Sequence, residues 1–231
     1  MSLTSCGFVA LIGAPNSGKS TLLNKLVGAK VSIVTRKAQT TRATVRGVLI
    51  HGSAQIVFVD TPGLFAPKRR LDRAMLASAL GAAADADVLA LIVDAHKESR
   101  STSLSEETQA ILAQLKGIAK PKILLLNKID AMAERGALLA LSQTLNAAER
   151  FEATFMISAE KGDGLDSLVE RLAPMMPAGP WHYPEDEISD APMRSLAAEI
   201  TREKLFERLH DELPYQATVE TDSWKLSLIH I

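Results

Sequence analysis

The fold is decided by the stretch from Phe8 to Thr21, which reads FVALIGAPNSGKST. A continuous apolar run ends in a glycine-rich turn, and apolar residues at helical spacing follow to Val27. The turn matches G-x-x-x-x-G-K-[ST] between a strand and a helix, where backbone N–H groups curl around phosphate oxygens. The alternative is a turn that only connects the strand to the helix and binds no phosphate. We therefore predict a phosphate-binding loop made of Gly13, Ala14, Pro15, Asn16, Ser17, Gly18, Lys19, Ser20 and Thr21.

Outward from this loop, short apolar runs alternate with helical segments up to about residue 173. The predicted strands are Phe8–Ile12, Val45–Ile50, Ile56–Val59, Val88–Val93, Ile123–Leu126 and Phe155–Ile157. The predicted helices are Ser20–Val27, Leu71–Leu80, Ser105–Leu115, Glu134–Ala148 and Leu165–Leu172. Continuous apolar strands are typical of parallel sheets that are buried on both faces. The alternation predicts an α/β fold, a three-layer sandwich with a mostly parallel sheet.

A second polar element, Asp60-Thr61-Pro62-Gly63, follows directly after a predicted strand. A carboxylate at this strand end faces the phosphate loop, where Asp60 can contact Mg²⁺ through water and Ser20 can ligate it. Lys19 can neutralise phosphate oxygens, and the Gly63 N–H can bond the γ-phosphate. In isolation these four residues are an ordinary turn, but downstream of a phosphate loop they predict a magnesium–nucleotide site.

A third element, Asn127-Lys128-Ile129-Asp130, selects the base. The Asp130 carboxylate can accept from guanine N1–H and from the exocyclic N2 amine, donors that adenine lacks in that arrangement. The Lys128 stem can lie over the base, and Asn127 can join this loop to the phosphate loop. Ser158-Ala159-Glu160 follows the last predicted strand, where the Ala159 N–H can meet guanine O6. We predict GTP and GDP as substrate and product.

Two residues bear on the mechanism of hydrolysis. Leu64 stands after Gly63, where Ras-like GTPases carry the glutamine that orients the attacking water, so turnover is expected to be slow without a partner. Asn16 stands where potassium-stimulated GTPases carry an asparagine ligand, and we hypothesise that it helps to hold K⁺. A plain turn-forming role for Asn16 stays open.

The segment from Thr35 to Arg42 is polar, basic and without apolar periodicity, as expected of a mobile switch. A threonine here can complete the Mg²⁺ shell, and we favour Thr41 over Thr40. The predicted metal ligands are thus Ser20, Thr41 and Asp60, with Asn16 for K⁺, and the predicted catalytic set is Lys19, Thr41 and Gly63. The basic side chains either contact RNA or are simply solvated.

The composition excludes several other classes of protein. A net charge of -1 does not by itself indicate a nucleic-acid partner, and a single cysteine excludes an internal disulfide. No apolar run reaches the length of about 18 residues that a membrane-spanning helix needs, and the N-terminus lacks the pattern of a signal peptide. We therefore expect a cytoplasmic protein.

The pattern changes near Ala173. Pro174, Pro177, Pro180 and Pro184 indicate a linker, and a helix is predicted from Pro192 to Leu213, followed by a strand at residues 217–221. We predict a GTPase domain at 1–173, a linker at 174–191 and an incomplete domain at 192–231.

The four nucleotide elements (Gly13–Ser20, Asp60–Gly63, Asn127–Asp130 and Ser158–Glu160) resemble those of translation-factor-like GTPases. Three further stretches indicate one family within that class. Residues 36–42 (RKAQTTR), 179–184 (GPWHYP) and 198–206 (AEITREKLF) are similar to the Era GTPases of bacteria. The resemblance implies a GTPase domain followed by a type II KH domain that binds small-subunit ribosomal RNA during ribosome assembly, with peripheral association at the inner membrane. We also expect a monomer.

The resemblance stops after Lys225, where the chain reads LSLIHI. A KH domain clamps RNA with a G-x-x-G loop that is absent here, so we expect a partial KH-like segment and impaired RNA binding by this chain. Two alternatives stay open. One is another GTPase, acting on tRNA or at a different ribosome step, and the other is a GTP sensor with negligible turnover.

Overall fold

The computed structural model describes residues 4–35, 37, 41, 44–64, 70–101, 103–132, 136–209, 213 and 217–223. Arg36, Ala38, Gln39, Thr40 and Arg42 of the predicted switch lie outside the described residues, as does the tail from residue 224. Within the described ranges, no helix is long and apolar enough to cross a membrane.

A six-stranded sheet in the order β2-β3-β1-β4-β5-β6 forms the centre of the protein. All neighbouring pairs are parallel except β2 and β3, which are antiparallel and joined by the tight turn at Gly52. The strands are β1 (Ser5–Ile12), β2 (Val45–His51), β3 (Ala54–Asp60), β4 (Val88–Asp94), β5 (Lys122–Asn127) and β6 (Ala153–Met156). The predicted mostly parallel α/β fold is confirmed.

Seven helices of the described residues flank this sheet or follow it: α1 (Lys19–Val27), α2 (Arg70–Asp85), α3 (Ala95–Glu98), α4 (Glu106–Leu115), α5 (Gly136–Ala148), α6 (Leu165–Leu172) and α7 (Met193–Arg208). The short α3 was not predicted, because a four-residue helix carries no periodic signal. Apolar side chains of α1 and α6 pack on one sheet face, and those of α2, α4 and α5 pack on the other. Alternate residues of β1 serve the two cores, since Val9 and Leu11 join one and Ala10 and Ile12 the other.

The segment predicted as a linker lies against the rim of the sheet at the amino ends of β1 and β3. Ala178 forms an antiparallel bridge with Ser5, and Gly179 N donates to Thr4 O at 3.0 Å. The buried Gln55 side chain accepts from the backbone N–H groups of His182 and Tyr183 at 2.9 and 3.0 Å. These backbone bonds give residues 177–183 a defined path, which proline content alone does not predict.

Two predictions for the C-terminal part were wrong. Helix α7 ends at Arg208 rather than Leu213, because Leu209 adopts extended backbone angles (φ -84, ψ 147). Residues 217–221 are not a strand; the backbone N–H of Ala217 instead donates to the Leu213 carbonyl at 3.1 Å, a bond to a residue four positions earlier rather than across a strand ladder. Instead the Thr221 hydroxyl donates to the Arg194 carbonyl at 2.8 Å.

Candidate nucleotide-binding site

The predicted phosphate loop connects β1 to α1 and owes its shape to residues with left-handed backbone. Gly18, at the N-cap of α1, has φ 101, and a Cβ there would lie 2.2 Å from Asn127 Nδ2, so only glycine fits. Asn16 has φ 61, and among the described non-glycine residues only Lys128 shares a positive φ. Strained backbone of this kind clusters at ligand-binding loops. Both strained residues lie on the loops assigned to the nucleotide.

Lys19 is buried beneath this loop. Its ammonium donates to the carbonyls of Gly13 at 3.1 Å and Ala14 at 2.8 Å. Burial lowers the pKa of Lys19 to about 8, and the charge of Asp60 opposes that shift. A lysine that is buried at the first turn of a helix is well placed to bind phosphate oxygens, since an anion there would offset the cost of burying the lysine charge.

Three oxygen side chains converge beside Lys19 at the predicted magnesium position. Ser20 Oγ donates to Asp60 Oδ2 at 2.6 Å, and Thr41 Oγ1 lies 3.1 Å from Ser20 Oγ and 3.4 Å from Asp60 Oδ2. Asp60 is fully buried, and its other oxygen, Oδ1, has no partner among the described residues. Burial raises the pKa of Asp60, and the Ser20 hydrogen bond and the Lys19 charge oppose the rise. A hard oxygen set with one unsatisfied carboxylate oxygen fits Mg²⁺.

The segment after Asp60 is held against the phosphate loop. A Cβ on Gly63 would lie 2.8 Å from Pro15 N and 2.9 Å from Pro15 Cα, so the two backbones can approach only through a glycine. Leu64 N donates to Gly13 O at 3.0 Å, and the Leu64 side chain is buried in the core. A leucine side chain in the core cannot orient the attacking water as the glutamine at this position of Ras-like GTPases does.

The base loop is tied to its neighbours by the buried Asn127. Its Nδ2 donates to Ser17 O at 2.8 Å, and its Oδ1 accepts from Ala159 N at 2.9 Å. The sequence analysis assigned the Ala159 N–H to guanine O6. In the structure this N–H is committed to Asn127, so an O6 contact has to be shared with that bond. Ser158 shapes the same turn by accepting from Lys161 N at 3.1 Å.

Lys128 reaches back across the phosphate loop. Its ammonium donates to Asn16 O and to Asp94 Oδ2, both at 2.7 Å. Asp94 was missed by the sequence reasoning, although it stands at the carboxyl end of a buried strand as Asp60 and Asn127 do. This position at the end of a strand was the signal by which Asp94 could have been identified from the sequence.

A large open cleft of about 1480 Å³ runs along these loops. Its wall includes residues of the phosphate loop and of the following segments, together with three residues of α7: Gly28, Ala29, Lys30, Ile33, Val34, Thr35, Lys37, Gly63, Lys128, Ala159, Glu160, Glu203, Phe206 and Glu207. Asp130 is not part of this wall and lies on a half-buried 3₁₀ turn (Ile129–Ala131) next to Lys128. The participation of α7 was not predicted, because nothing in a helical repeat tells what the helix packs against.

The sheet order, the phosphate loop and the base loop are those of the P-loop GTPase class. A family model described as "50S ribosome-binding GTPase" matches residues 8–128. A curated relative, GTPase Era of Bradyrhizobium sp. (strain BTAi1), is 59% identical over 221 residues, which are 96% of this chain and 70% of the relative. GTPase Era of Rhizobium meliloti (strain 1021) is 58% identical over 222 residues, covering 96% of this chain and 69% of the relative.

Two solved structures are similar to this chain, each at 39% identity. One is a variant of Aquifex aeolicus Era bound to GDP·AlF₄⁻, with a TM-score of 0.84 over 91% of this chain and 70% of the other. The other is Era in complex with MgGDPNP and nucleotides 1506–1542 of 16S ribosomal RNA, with a TM-score of 0.85 over 92% of this chain and 70% of the other. The chain belongs to the Era family of GTPases, as the resemblance in its sequence implied.

Proposed function

We propose that this chain is a GTP-hydrolysing switch whose nucleotide state governs contact with small-subunit ribosomal RNA during ribosome assembly. The observation that carries the proposal is the buried Asn127 bridge, which joins the phosphate loop, the base loop and the Ala159 turn into one site. Family membership supports the RNA partner, since an Era relative has been solved with MgGDPNP and 16S ribosomal RNA.

Hydrolysis in this proposal depends on charge placement rather than on a general base. Backbone N–H groups at the start of α1 and of Gly63 hold the phosphates, while Lys19 offsets negative charge that develops on the γ-phosphoryl group as water attacks in line. Ser20 and Thr41 are the ligands proposed for Mg²⁺, and Asp60 orients its water shell. Bound there, the ion would neutralise phosphate charge. With Leu64 in the core, the expected rate is slow.

We further propose that Asn16 helps to hold K⁺ next to the phosphates. Asn16 is exposed on the cleft wall, and its left-handed backbone sets it at the tip of the phosphate loop. A monovalent cation there would supply charge that an arginine supplies in other GTPases.

The remaining parts of the proposal rest on the family resemblance. They are the GTPase domain at 1–173, the linker at 174–191 and the KH-like segment at 192–231. A cytoplasmic location with peripheral contact at the inner membrane and a monomeric state complete it.

The test is phosphate release from GTP and from ATP in Mg²⁺ buffer, with either KCl or NaCl. We expect release from GTP only, faster in KCl. Asp130→Asn keeps one acceptor oxygen but replaces the other with an amine donor, so one proposed bond to a carboxylate, worth about 1.5–3 kcal/mol, is lost and kcat/KM for GTP should fall at least about 10- to 150-fold. The matched control is Asp166→Asn, an exposed carboxylate in the first turn of α6, which should leave kcat/KM unchanged.

Equal release from ATP would refute the assignment of Asp130. Equal rates in both salts would refute the K⁺ role of Asn16. Binding of GTP with no release in either salt would favour the GTP sensor, the alternative that the buried Leu64 supports.

A further inference from the structure

Ser32 lies in the loop between α1 and β2, where the sequence offers no motif. It is nevertheless only 3% exposed, and its hydroxyl donates to Asp60 Oδ2 at 2.9 Å. The same carboxylate oxygen receives the Ser20 hydroxyl at 2.6 Å and has Thr41 Oγ1 at 3.4 Å. Of these three hydroxyls, only Ser32 is not a proposed ligand of the metal.

The backbone of Ser32 is clamped by a single side chain of α1. Asn24 Oδ1 accepts from Val31 N and Ser32 N, both at 2.9 Å, and Asn24 Nδ2 donates to Ser32 O at 2.7 Å. Because α1 begins at the phosphate loop, the three hydrogen bonds of Asn24 fix the position of Ser32 relative to the loop that contains Lys19 and Ser20.

We propose that Ser32, held by Asn24, is a positioning residue for the magnesium site, an inference that rests on the proposed function. A carboxylate with one free oxygen can rotate about its terminal torsion, which has a broad and shallow energy profile. Ser32 binds Oδ2 and so directs Oδ1, which is buried and lacks a partner among the described residues, toward the water shell of the ion. Ser20 and Thr41 can then turn to the metal while Asp60 keeps its orientation.

A purely structural role for Ser32 predicts something different. If its hydroxyl only satisfied a buried carboxylate, its loss would weaken the fold or nucleotide binding to the same degree with and without Mg²⁺. A positioning role changes the Mg²⁺ concentration that is needed and leaves metal-free nucleotide binding unaltered.

The experiment measures dissociation of mant-GDP from the full chain across a series of free Mg²⁺ concentrations and in EDTA. Three substitutions grade the donor: Ser32→Thr keeps the hydroxyl and adds a methyl group, Ser32→Cys has a weak donor, and Ser32→Ala has none. We expect the Mg²⁺ midpoint to rise in that order, reaching about tenfold for Ser32→Ala, because a hydrogen bond to a charged group is lost. Dissociation in EDTA should stay within about twofold of wild type, well inside that tenfold effect.

Two further variants sharpen the test. Asn24→Ala leaves the hydroxyl but frees the backbone and should shift the midpoint in the same direction. Ser189→Ala is the matched control, since it removes another serine hydroxyl, which donates to Arg46 O at 2.8 Å away from the metal residues, and it should shift nothing.

An unchanged midpoint in the serine series, or an equal change in EDTA, would overturn the proposal. If one variant fails to fold, the ranking of the other two still decides. Failure of the wild type to bind mant-GDP would instead overturn the proposed function, and this inference with it.

Discussion

Replacement of Asn127 by alanine should separate three loops that are joined by one buried side chain. The change would leave the Ser17 carbonyl and the Ala159 N–H without the bonds observed at 2.8 and 2.9 Å. An orphaned buried polar group costs about 1–3 kcal/mol, so the free energy of unfolding should fall by about 2–6 kcal/mol. For a chain of this size that corresponds to a loss of roughly 4–24 °C in Tm.

The assay is urea unfolding of the nucleotide-free protein, followed by circular dichroism. Asn127→Asp serves as a second variant, because it keeps the acceptor for Ala159 N–H and sets an oxygen against the Ser17 carbonyl. We expect it to be at least as destabilising as Asn127→Ala, since it also buries a charge.

The matched control is Asn146→Ala, which removes an exposed side-chain amide from α5 and should change stability by no more than about 0.5 kcal/mol. If Asn127→Ala also falls within that limit, the bridge does not hold the loops together, and the reasoning from its two bonds is refuted.

Three other perturbations test the surroundings of the site. Asp94→Asn weakens a partly exposed ion pair with Lys128, worth about 0.2–1 kcal/mol, so GDP should dissociate about 1.4- to 5-fold faster in a stopped-flow assay. The pKa of Lys19, lowered to about 8, implies that GTP binding takes up a proton above pH 8 as the phosphates restore the lysine charge, but not at pH 6.5. Calorimetry at pH 9 in two buffers of different ionisation enthalpy measures that uptake. Glu203→Ala removes the buried carboxylate that accepts from Val34 N at 3.0 Å and should lower stability in urea by about 1–3 kcal/mol.

Matched controls keep these outcomes interpretable. Glu207→Ala changes an exposed carboxylate on the same helix as Glu203 and should cost less than about 0.5 kcal/mol. Equal losses for the two glutamates would contradict a specific α7 contact. Unchanged GDP dissociation in Asp94→Asn, or no proton uptake at pH 9, would contradict the roles given to Lys128 and Lys19.

Local signals in the sequence sufficed for the α/β architecture and for the nucleotide loops. Continuous apolar runs predict buried strands wherever they occur, and a phosphate loop is built from neighbouring residues, so Gly13–Thr21 could be recognised without knowledge of distant contacts. The same holds for the base loop at Asn127–Asp130. Family membership followed from these motifs and three short stretches.

The predictions that failed depended on contacts outside the local pattern. The spacing of apolar residues predicted that α7 extends to Leu213, but this spacing does not encode the extended backbone at Leu209. Residues 217–221 have strand-like composition, but composition does not tell whether a segment joins a strand ladder. The assignment of the Ala159 N–H to guanine O6 stays a prediction, and the sequence does not show that Asn127 also accepts from this N–H.

By itself, the sequence determined the fold class and the family, and it predicted which residues bind phosphate, metal and guanine, because those capacities belong to side-chain chemistry and to short loops. Only the tertiary structure decided which side chains orient them. Ser32 meets Asp60 across 28 positions, and Asp94 meets Lys128 across 34. Glu203 meets Val34 across 169. Such pairs form because the carboxyl ends of parallel strands gather at one edge of the sheet and α7 returns to the same cleft, which no local pattern encodes.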